Sequence, residues 1–171
     1  MIINKDVIAC VDSIGEDFNQ KPSKRLIKGS QMEKYRFLQH TADAKFQAFG
    51  YTLEEAFMNA ALAVCSLMWD IDKIEKRVNQ DVFTTGKDME QLLVNFLEEI
   101  LYLFDTKGFL LASVKDINIE QAEGNYRLSA CFQGDYFSEK YKVYGGIKAI
   151  TYNEMKIEKN NNFLVQVVVD V

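Results

Sequence analysis

The sequence has little of several residue types, and each shortage excludes a class of protein. Its 171 residues include one Pro, one Trp, one His and three Cys. The cysteines, Cys10, Cys65 and Cys131, are an odd number at wide spacing with no C-x-x-C pair, so we expect neither a disulfide framework nor a zinc site. Because His40 is the only histidine, we also do not expect a Cys–His nucleophilic pair.

Long hydrophobic runs, phosphate-binding motifs and a basic balance are also missing. No apolar run approaches the length of a membrane span, and the run at 7–11 is too short for a signal peptide. Neither G-x-x-x-x-G-K-[ST] nor G-x-G-x-x-G occurs. The net charge of −5 argues against a surface that neutralises nucleic-acid phosphates over a long footprint. We therefore expect little direct nucleic-acid binding, no membrane contact and a cytoplasmic location, with a nuclear location as an alternative.

The length fits one domain preceded by a tail. A hydrophobic content of 48% is ample for a core. We interpret residues 1–31 as a flexible N-terminal extension and residues 32–171 as the folded domain. The extension contains a basic stretch at 21–28, which is either solvated or in contact with RNA or a protein partner.

Two helices are predicted where apolar residues recur at spacings of three and four. The first covers residues 53–69 and begins after a Thr52 cap. The second covers residues 88–104, with Asp88 as its N-cap and Gly108 as its stop signal. Each helix shows one apolar stripe, so each is expected to cover a sheet from one side.

Strands are predicted mostly in the second half of the chain. Alternating or apolar runs indicate strands at 35–38, 46–49, 77–84, 110–121, 126–133, 147–158 and 163–169, with a loop predicted at 134–146. This order of elements predicts an α+β fold of two layers, in which two amphipathic helices pack on a largely antiparallel β-sheet. No internal repeat is evident.

Carboxylates at strand ends are the candidates for chemistry. Asp43 ends the tetrapeptide His40-Thr41-Ala42-Asp43, and the last strand delivers Asp170 and the α-carboxylate of Val171 at its tip. If the two places meet, three carboxylates converge, and like charges about 4 Å apart repel by roughly 4 kcal/mol near a protein surface. Oxygen ligands of this kind favour Mg²⁺, Ca²⁺ or Mn²⁺ over zinc. The alternative is that Asp170 is a solvated terminal residue, because spacing alone does not bring it to Asp43.

Three separated segments resemble the archease family over about residues 32–171. They are His-Thr-Ala-Asp at 40–43 with Thr-Leu-Glu-Glu-Ala-Phe at 52–57, Ile-Lys-Ala-Ile-Thr-Tyr at 147–152, and Val-Val-Val-Asp-Val at 167–171. The resemblance implies a metal site formed by Asp43, Asp170 and Val171. It also implies a functional Lys148, which would contact a nucleotide phosphate or a partner carboxylate.

Two departures from the family pattern lie just before Lys148. The chain has Gly-Gly-Ile at 145–147 where Gly-Thr-Glu-Val is common, and Tyr141 where a histidine is often found. His40 belongs to the family motif, and we interpret it as a residue that fixes the turn in preference to a ligand or an acid–base group.

The resemblance implies a protein cofactor and not an enzyme. Archeases are taken to activate RtcB-type RNA ligases, alone or in a tRNA ligase complex, by promoting GTP-dependent guanylylation and multiple turnover in tRNA splicing. The implied cofactors are a divalent ion (Ca²⁺, Mg²⁺ or Mn²⁺) and GTP bound through the ligase. Two alternatives stay open, a metal-dependent phosphoesterase that uses the same carboxylates and a chaperone-like protein-binding module.

Overall fold

The computed structural model describes residues 32–39 and 43–171. The predicted N-terminal extension, residues 1–31, therefore lies outside the described residues, as does His40. In the described ranges the chain forms, in order, β1 (Tyr35–Leu38), β2 (Ala44–Gly50), α1 (Leu53–Met68), a 3₁₀ turn (Ile71–Lys73), β3 (Val78–Gly86), α2 (Met89–Lys107), β4 (Phe109–Ala122), β5 (Asn125–Tyr136), β6 (Ala149–Lys159) and β7 (Phe163–Asp170).

The strands form two antiparallel sheets. Sheet 1 has the order β1-β2-β7-β6 and sheet 2 has the order β3-β5-β4, and every neighbouring pair is antiparallel. The predicted α+β class, with two helices packed on antiparallel β-structure, is confirmed. The division into two sheets was not predicted, because the choice of strand partners depends on contacts distant in sequence.

Both helices contact both sheets. α1 packs on β2 and β7 of sheet 1 and on β4 of sheet 2, and α2 packs on β6 of sheet 1 and on all three strands of sheet 2. Ala63 and Cys65, roughly 200° apart around α1, are both fully buried. Val94 and Phe96 are likewise both buried in α2. The expectation that each helix covers a sheet from one side was therefore wrong.

Neither helix of the described chain is long and apolar enough to span a membrane.

A glycine ends the strand before each helix and lets the helix pack close. A Cβ placed on Gly50 would lie 2.3 Å from the amide nitrogen of Ala56, and one on Gly86 would lie 2.4 Å from that of Leu92. Any larger residue would push the helix away from the strand. The two β–α units are built alike in this respect.

The caps repeat the same construction. The Thr52 hydroxyl accepts from the Glu55 amide at 3.1 Å, and the Asp88 carboxylate accepts from the Gln91 amide at 2.7 Å. In each helix the residue three positions after the cap also accepts from the amide preceding the cap, an arrangement similar to a capping box. The two strand–helix turns therefore share both a close-packed glycine and the same kind of cap.

Several element ends differ from the predicted positions. α2 continues to Lys107 and stops at Gly108, whose φ of 65° is the left-handed conformation predicted for a helix stop. β5 continues to Tyr136, so Gly134, predicted to open a loop, lies inside the strand. β6 begins at Ala149, so Lys148 precedes the strand in which it was predicted.

Candidate functional site

Strand register brings Asp43 and Asp170 to the same end of sheet 1. Ala44, the first residue of β2, pairs with Val169 of β7. Continuing this ladder by one residue places Asp43 opposite Asp170. Opposite residues in antiparallel strands have Cα atoms about 4.5–5.5 Å apart. Two residues separated by most of the chain therefore lie side by side.

Val171 and Lys148 complete this end of the sheet. The Lys148 main-chain N–H donates to the Asp170 carbonyl oxygen at 2.8 Å. Its side-chain Nζ donates to the Val171 main-chain oxygen at 2.9 Å and lies 3.9 Å from Asp170 Oδ1. We call Asp43, Asp170 and Val171 the acidic tip, and Lys148 contacts two of its three residues.

The acidic tip is solvent-accessible. The side chain of Lys148 is 71% exposed and that of Asp170 is 50% exposed. Asp43 is half-buried, and Val171 is exposed. Ion pairs with this much exposure contribute at most about 1 kcal/mol, since water screens them. The Lys148 contact can therefore exchange for other partners at small cost.

A second ion pair flanks the acidic tip and was not predicted. Lys45, two residues after Asp43, places its Nζ 2.5 Å from Glu154 Oε2, and the Lys45 side chain is only 14% exposed. Glu154 has a φ of 49° inside an irregular stretch of β6. Such bulges redirect side chains, often next to functional sites. No local sequence pattern signals this contact, because Lys45 and Glu154 are joined across β7.

The donor set at the acidic tip fits a hard divalent ion. It offers two carboxylates and main-chain oxygens of Val171, and oxygen ligands suit Mg²⁺, Ca²⁺ or Mn²⁺. Within the described ranges, no group of three or more His, Cys, Asp or Glu side chains could hold a metal ion. A metal here would therefore need the Val171 oxygens or water in addition to Asp43 and Asp170. The structural role predicted for His40 stays a prediction.

A loop of residues 137–148 connects β5 of sheet 2 to β6 of sheet 1 and ends at Lys148. It is fixed at two places. The first is the end of α1, where Tyr144 N–H donates to the Met68 carbonyl at 2.7 Å and Val143 forms an isolated β-bridge with Trp69. Trp69 is fully buried and its indole N–H donates to the Leu111 carbonyl at 3.0 Å. The middle of the loop is thereby tied to the hydrophobic core.

The second fixed place is a buried carboxylate at the end of β5. Asp135 is 8% exposed and accepts a 2.6 Å hydrogen bond from the Tyr141 hydroxyl. It also accepts from the Tyr136 main-chain N–H at 2.9 Å and from Lys140 Nζ at 3.3 Å. The Tyr141 bond is the main cause that lowers the pKa of Asp135, with the Tyr136 and Lys140 bonds adding to it against the opposing effect of burial.

The same cluster reaches the segment before β3. Glu75 accepts from Lys140 Nζ at 3.0 Å and forms an ion pair with Arg77, and its main-chain N–H donates to the Tyr141 hydroxyl at 3.2 Å. Tyr141 is thus both a donor to Asp135 and an acceptor. Sequence reasoning noted Tyr141 only as a departure from a family pattern, and the distance along the chain hid its partners.

Two cavities of the described chain lie away from the acidic tip. Two open cavities of about 330 and 300 Å³ lie between β3 and α2, and both include Thr85 and Asn95. Neither includes a residue of the acidic tip. The acidic tip is therefore an exposed end of sheet 1 that lies apart from these two cavities.

Comparison with known proteins gives one consistent result. The model of the archease protein family matches residues 35–171. The chain is 40% identical to the protein archease of Methanosarcina mazei over 144 residues, which cover 83% of this chain and 99% of that protein. It is 41% identical to the protein archease of Pyrococcus furiosus over 143 residues, which cover 82% of this chain and 100% of that protein.

Solved structures agree with these relatives. The solution structure of protein 1598 of Methanobacterium thermoautotrophicum is similar with a TM-score of 0.71 at 30% identity, covering 82% of this chain and 100% of that chain. The crystal structure of "an archease, possible chaperone" from Thermotoga maritima is similar with a TM-score of 0.50 at 16% identity, covering 84% of this chain and 100% of that chain. The second similarity concerns the fold alone.

Proposed function

Because this chain belongs to the archease protein family, we propose that it activates an RtcB-type RNA ligase and is not itself an enzyme. In this proposal it promotes GTP-dependent guanylylation of the ligase and multiple turnover in tRNA splicing, alone with the ligase or in a tRNA ligase complex. Its site of action is the cytoplasm, with the nucleus as an alternative. The observation that supports the proposal best is the meeting of Asp43, Asp170, Val171 and Lys148 at one exposed end of sheet 1.

The residues of the acidic tip are the proposed metal ligands. Asp43 and Asp170 supply carboxylate oxygens, and Val171 supplies main-chain oxygens, for Ca²⁺, Mg²⁺ or Mn²⁺. When bound, the ion would offset negative charge on the GTP phosphates in the ligase active site.

Lys148 supports the contact with phosphate. Its main chain is fixed to Asp170 by the 2.8 Å hydrogen bond, whereas its side chain is largely exposed. An ammonium held beside the acidic tip can bind a phosphate oxygen of the nucleotide. The gain in rate then comes from orientation and from stabilisation of charge, while the bond-making chemistry stays on the ligase.

Rigid support of the acidic tip suits this role. β2 and β7 lie in the interior of sheet 1 and end directly at Asp43 and Asp170. The loop before Lys148 is fixed by Trp69 and Tyr141. A group that must enter another protein's active site loses less entropy on docking when it is held in place beforehand.

A reconstituted ligation assay tests the proposal. We expect addition of this protein to a purified RtcB-type ligase, GTP and tRNA exon halves to raise both ligase–GMP formation and the number of turnovers. Asp43→Asn and Asp170→Asn are expected to lower the stimulation about 10-fold or more, in the range seen when charge-stabilising groups are removed. Glu120→Gln, the same change at an exposed carboxylate on β4, is the matched control and should keep full stimulation. Unchanged ligase turnover on addition of the wild-type protein would refute the proposal.

The same preparation separates the two alternatives. A metal-dependent phosphoesterase would hydrolyse a phosphoester without the ligase when Mn²⁺ or Mg²⁺ is added. A chaperone-like module would suppress aggregation of unrelated client proteins and would not need Asp43 or Asp170. Ligase activation that requires both aspartates excludes the chaperone-like module as the explanation.

A further inference from the structure

We infer that Lys148 is the counter-cation of the acidic tip and that a divalent ion must displace it to bind. This inference rests on the proposed metal site and names how that site is regulated. The Lys148 ammonium already occupies a cation position, 2.9 Å from the Val171 oxygen and 3.9 Å from Asp170 Oδ1. These are two of the three residues assigned to the ion.

Competition follows from charge and from geometry. An ammonium and a divalent ion repel each other at these distances, and both draw on the oxygens of Val171. Removing the ammonium from that oxygen is feasible, because the Lys148 side chain is 71% exposed and can rotate into water. The main-chain bond from Lys148 to Asp170 can stay in place during this change.

Two other lysines, Lys45 and Lys142, are engaged differently. Lys45 is held by Glu154 at 2.5 Å and is mostly buried. The ammonium of Lys142 lies 5.6 Å from the centre of the Tyr144 ring, in a cation–π contact. Lys148 is therefore the lysine placed to exchange with an ion, and Lys142 is a suitable control.

After the ion displaces the Lys148 ammonium, the acidic tip should prefer anionic ligands. The released ammonium stays tethered next to a bound divalent ion, and an anion placed between the two relieves their repulsion. A phosphate group satisfies both cations at once. Ion and phosphate should therefore favour each other's binding, and this coupling must be reciprocal.

Titration of the full chain with Mn²⁺ tests the competition directly. Lys148→Met is expected to bind Mn²⁺ about 10-fold more tightly than the wild type at low ionic strength, within the usual range of coupling between sites. The gain should shrink in high salt, because screening weakens the ammonium's effect. Lys142→Met should bind like the wild type. Inorganic phosphate should raise the Mn²⁺ affinity of the wild type and have less effect on Lys148→Met.

A second measurement follows Lys148 itself. After reductive methylation with ¹³C, which keeps the positive charge, the Lys148 methyl signal should shift on addition of Mg²⁺ in the wild type but not in Asp170→Asn. Wild-type Mn²⁺ binding with equal or weaker binding by Lys148→Met, or a Lys148 signal that ignores Mg²⁺, would overturn the competition and leave the metal site standing. No Mn²⁺ binding by either protein would overturn the metal site and this inference together.

Discussion

Tyr141 donates a 2.6 Å hydrogen bond to Asp135, and this bond joins the loop in front of Lys148 to the end of β5. Both residues are largely buried, at 5% and 8% exposure. A carboxylate in such a place depends on its donors, because water is not available to replace them. The bond therefore links the stability of the fold to the placement of Lys148.

Removing the Tyr141 hydroxyl should destabilise the protein. We expect Tyr141→Phe to lower the free energy of unfolding by about 1–3 kcal/mol, because a buried charged acceptor loses its shortest bond. Denaturant unfolding measures the change. Tyr102→Phe removes the same hydroxyl from a tyrosine that is 58% exposed and should leave the stability nearly unchanged. Equal stability of wild type and Tyr141→Phe would contradict the role assigned to the bond.

Acid unfolding should reveal the same bond. The pKa of Asp135 is lowered in the folded state, chiefly by the Tyr141 hydrogen bond, so its stabilising effect is present above the usual aspartate pKa. This contribution is lost as the pH falls through the lower, folded-state pKa. In Tyr141→Phe the pKa of Asp135 should move up, and the acid transition followed by circular dichroism should shift to higher pH. A transition at the wild-type pH would count against this assignment.

Close packing at Gly50 should not tolerate a side chain. We expect Gly50→Ala to cost about 1–3 kcal/mol or more, as overpacking does, because its Cβ would lie 2.3 Å from the Ala56 nitrogen. Gly145→Ala is the matched control, since a Cβ there meets no atom within 4 Å. Thermal unfolding of both variants provides the comparison. A Gly50→Ala protein as stable as Gly145→Ala would mean that α1 can move away from β2 freely.

Extension of the chain beyond Val171 should abolish ion binding at the acidic tip without unfolding the protein. A few residues appended after Val171 convert its carboxylate into a peptide group and crowd the proposed ion site. We expect lost Mn²⁺ binding and lost ligase stimulation, with an unchanged circular dichroism spectrum and unfolding midpoint. An extension of the same length at the N-terminus is the control. Full ion binding by the C-terminally extended protein would remove Val171 from the site.

Two cysteines should differ in reactivity. Burial raises the pKa of the fully buried Cys65 thiol well above its usual value, and it also raises the pKa of Cys131, with Asp81 and Asp116 adding to the effect. At pH 8 we expect alkylation of Cys131 to be slow and that of Cys65 to require unfolding. Asp81→Asn should speed the reaction of Cys131, whereas Asp72→Asn should not. Peptide mass spectrometry distinguishes the sites.

Helices were the part of the fold that local sequence determined best. The apolar spacing and the caps at Thr52 and Asp88 are local signals, and both predicted N-caps are confirmed. The end of β5 was placed too early because Gly134 looked like a loop residue. A Cβ at Gly134 would lie 1.9 Å from the Leu110 carbonyl oxygen, so this glycine marks a close approach of two strands.

The candidate site was predicted only in part. Asp43, Asp170 and Val171 were candidates because of their places at strand ends, and the resemblance supported them and added Lys148. Their proximity depends on the pairing of β2 with β7, which no local pattern specifies. The contacts of Lys45 with Glu154 and of Glu75 with Lys140 were missed for the same reason. Each of these contacts joins charged residues that lie far apart in the sequence. The sequence alone does not distinguish a charged residue that is paired from one that is solvated.

The single tryptophan gives this protein a built-in optical probe. Trp69 is sealed from water and touches Val143, in the loop that leads to Lys148. Indole emission responds to the polarity of its surroundings, so a shift of that loop would change the emission wavelength or the intensity of the intrinsic tryptophan fluorescence. Encounters with an ion or a ligase could then be timed by rapid mixing, without attaching any dye to the molecule.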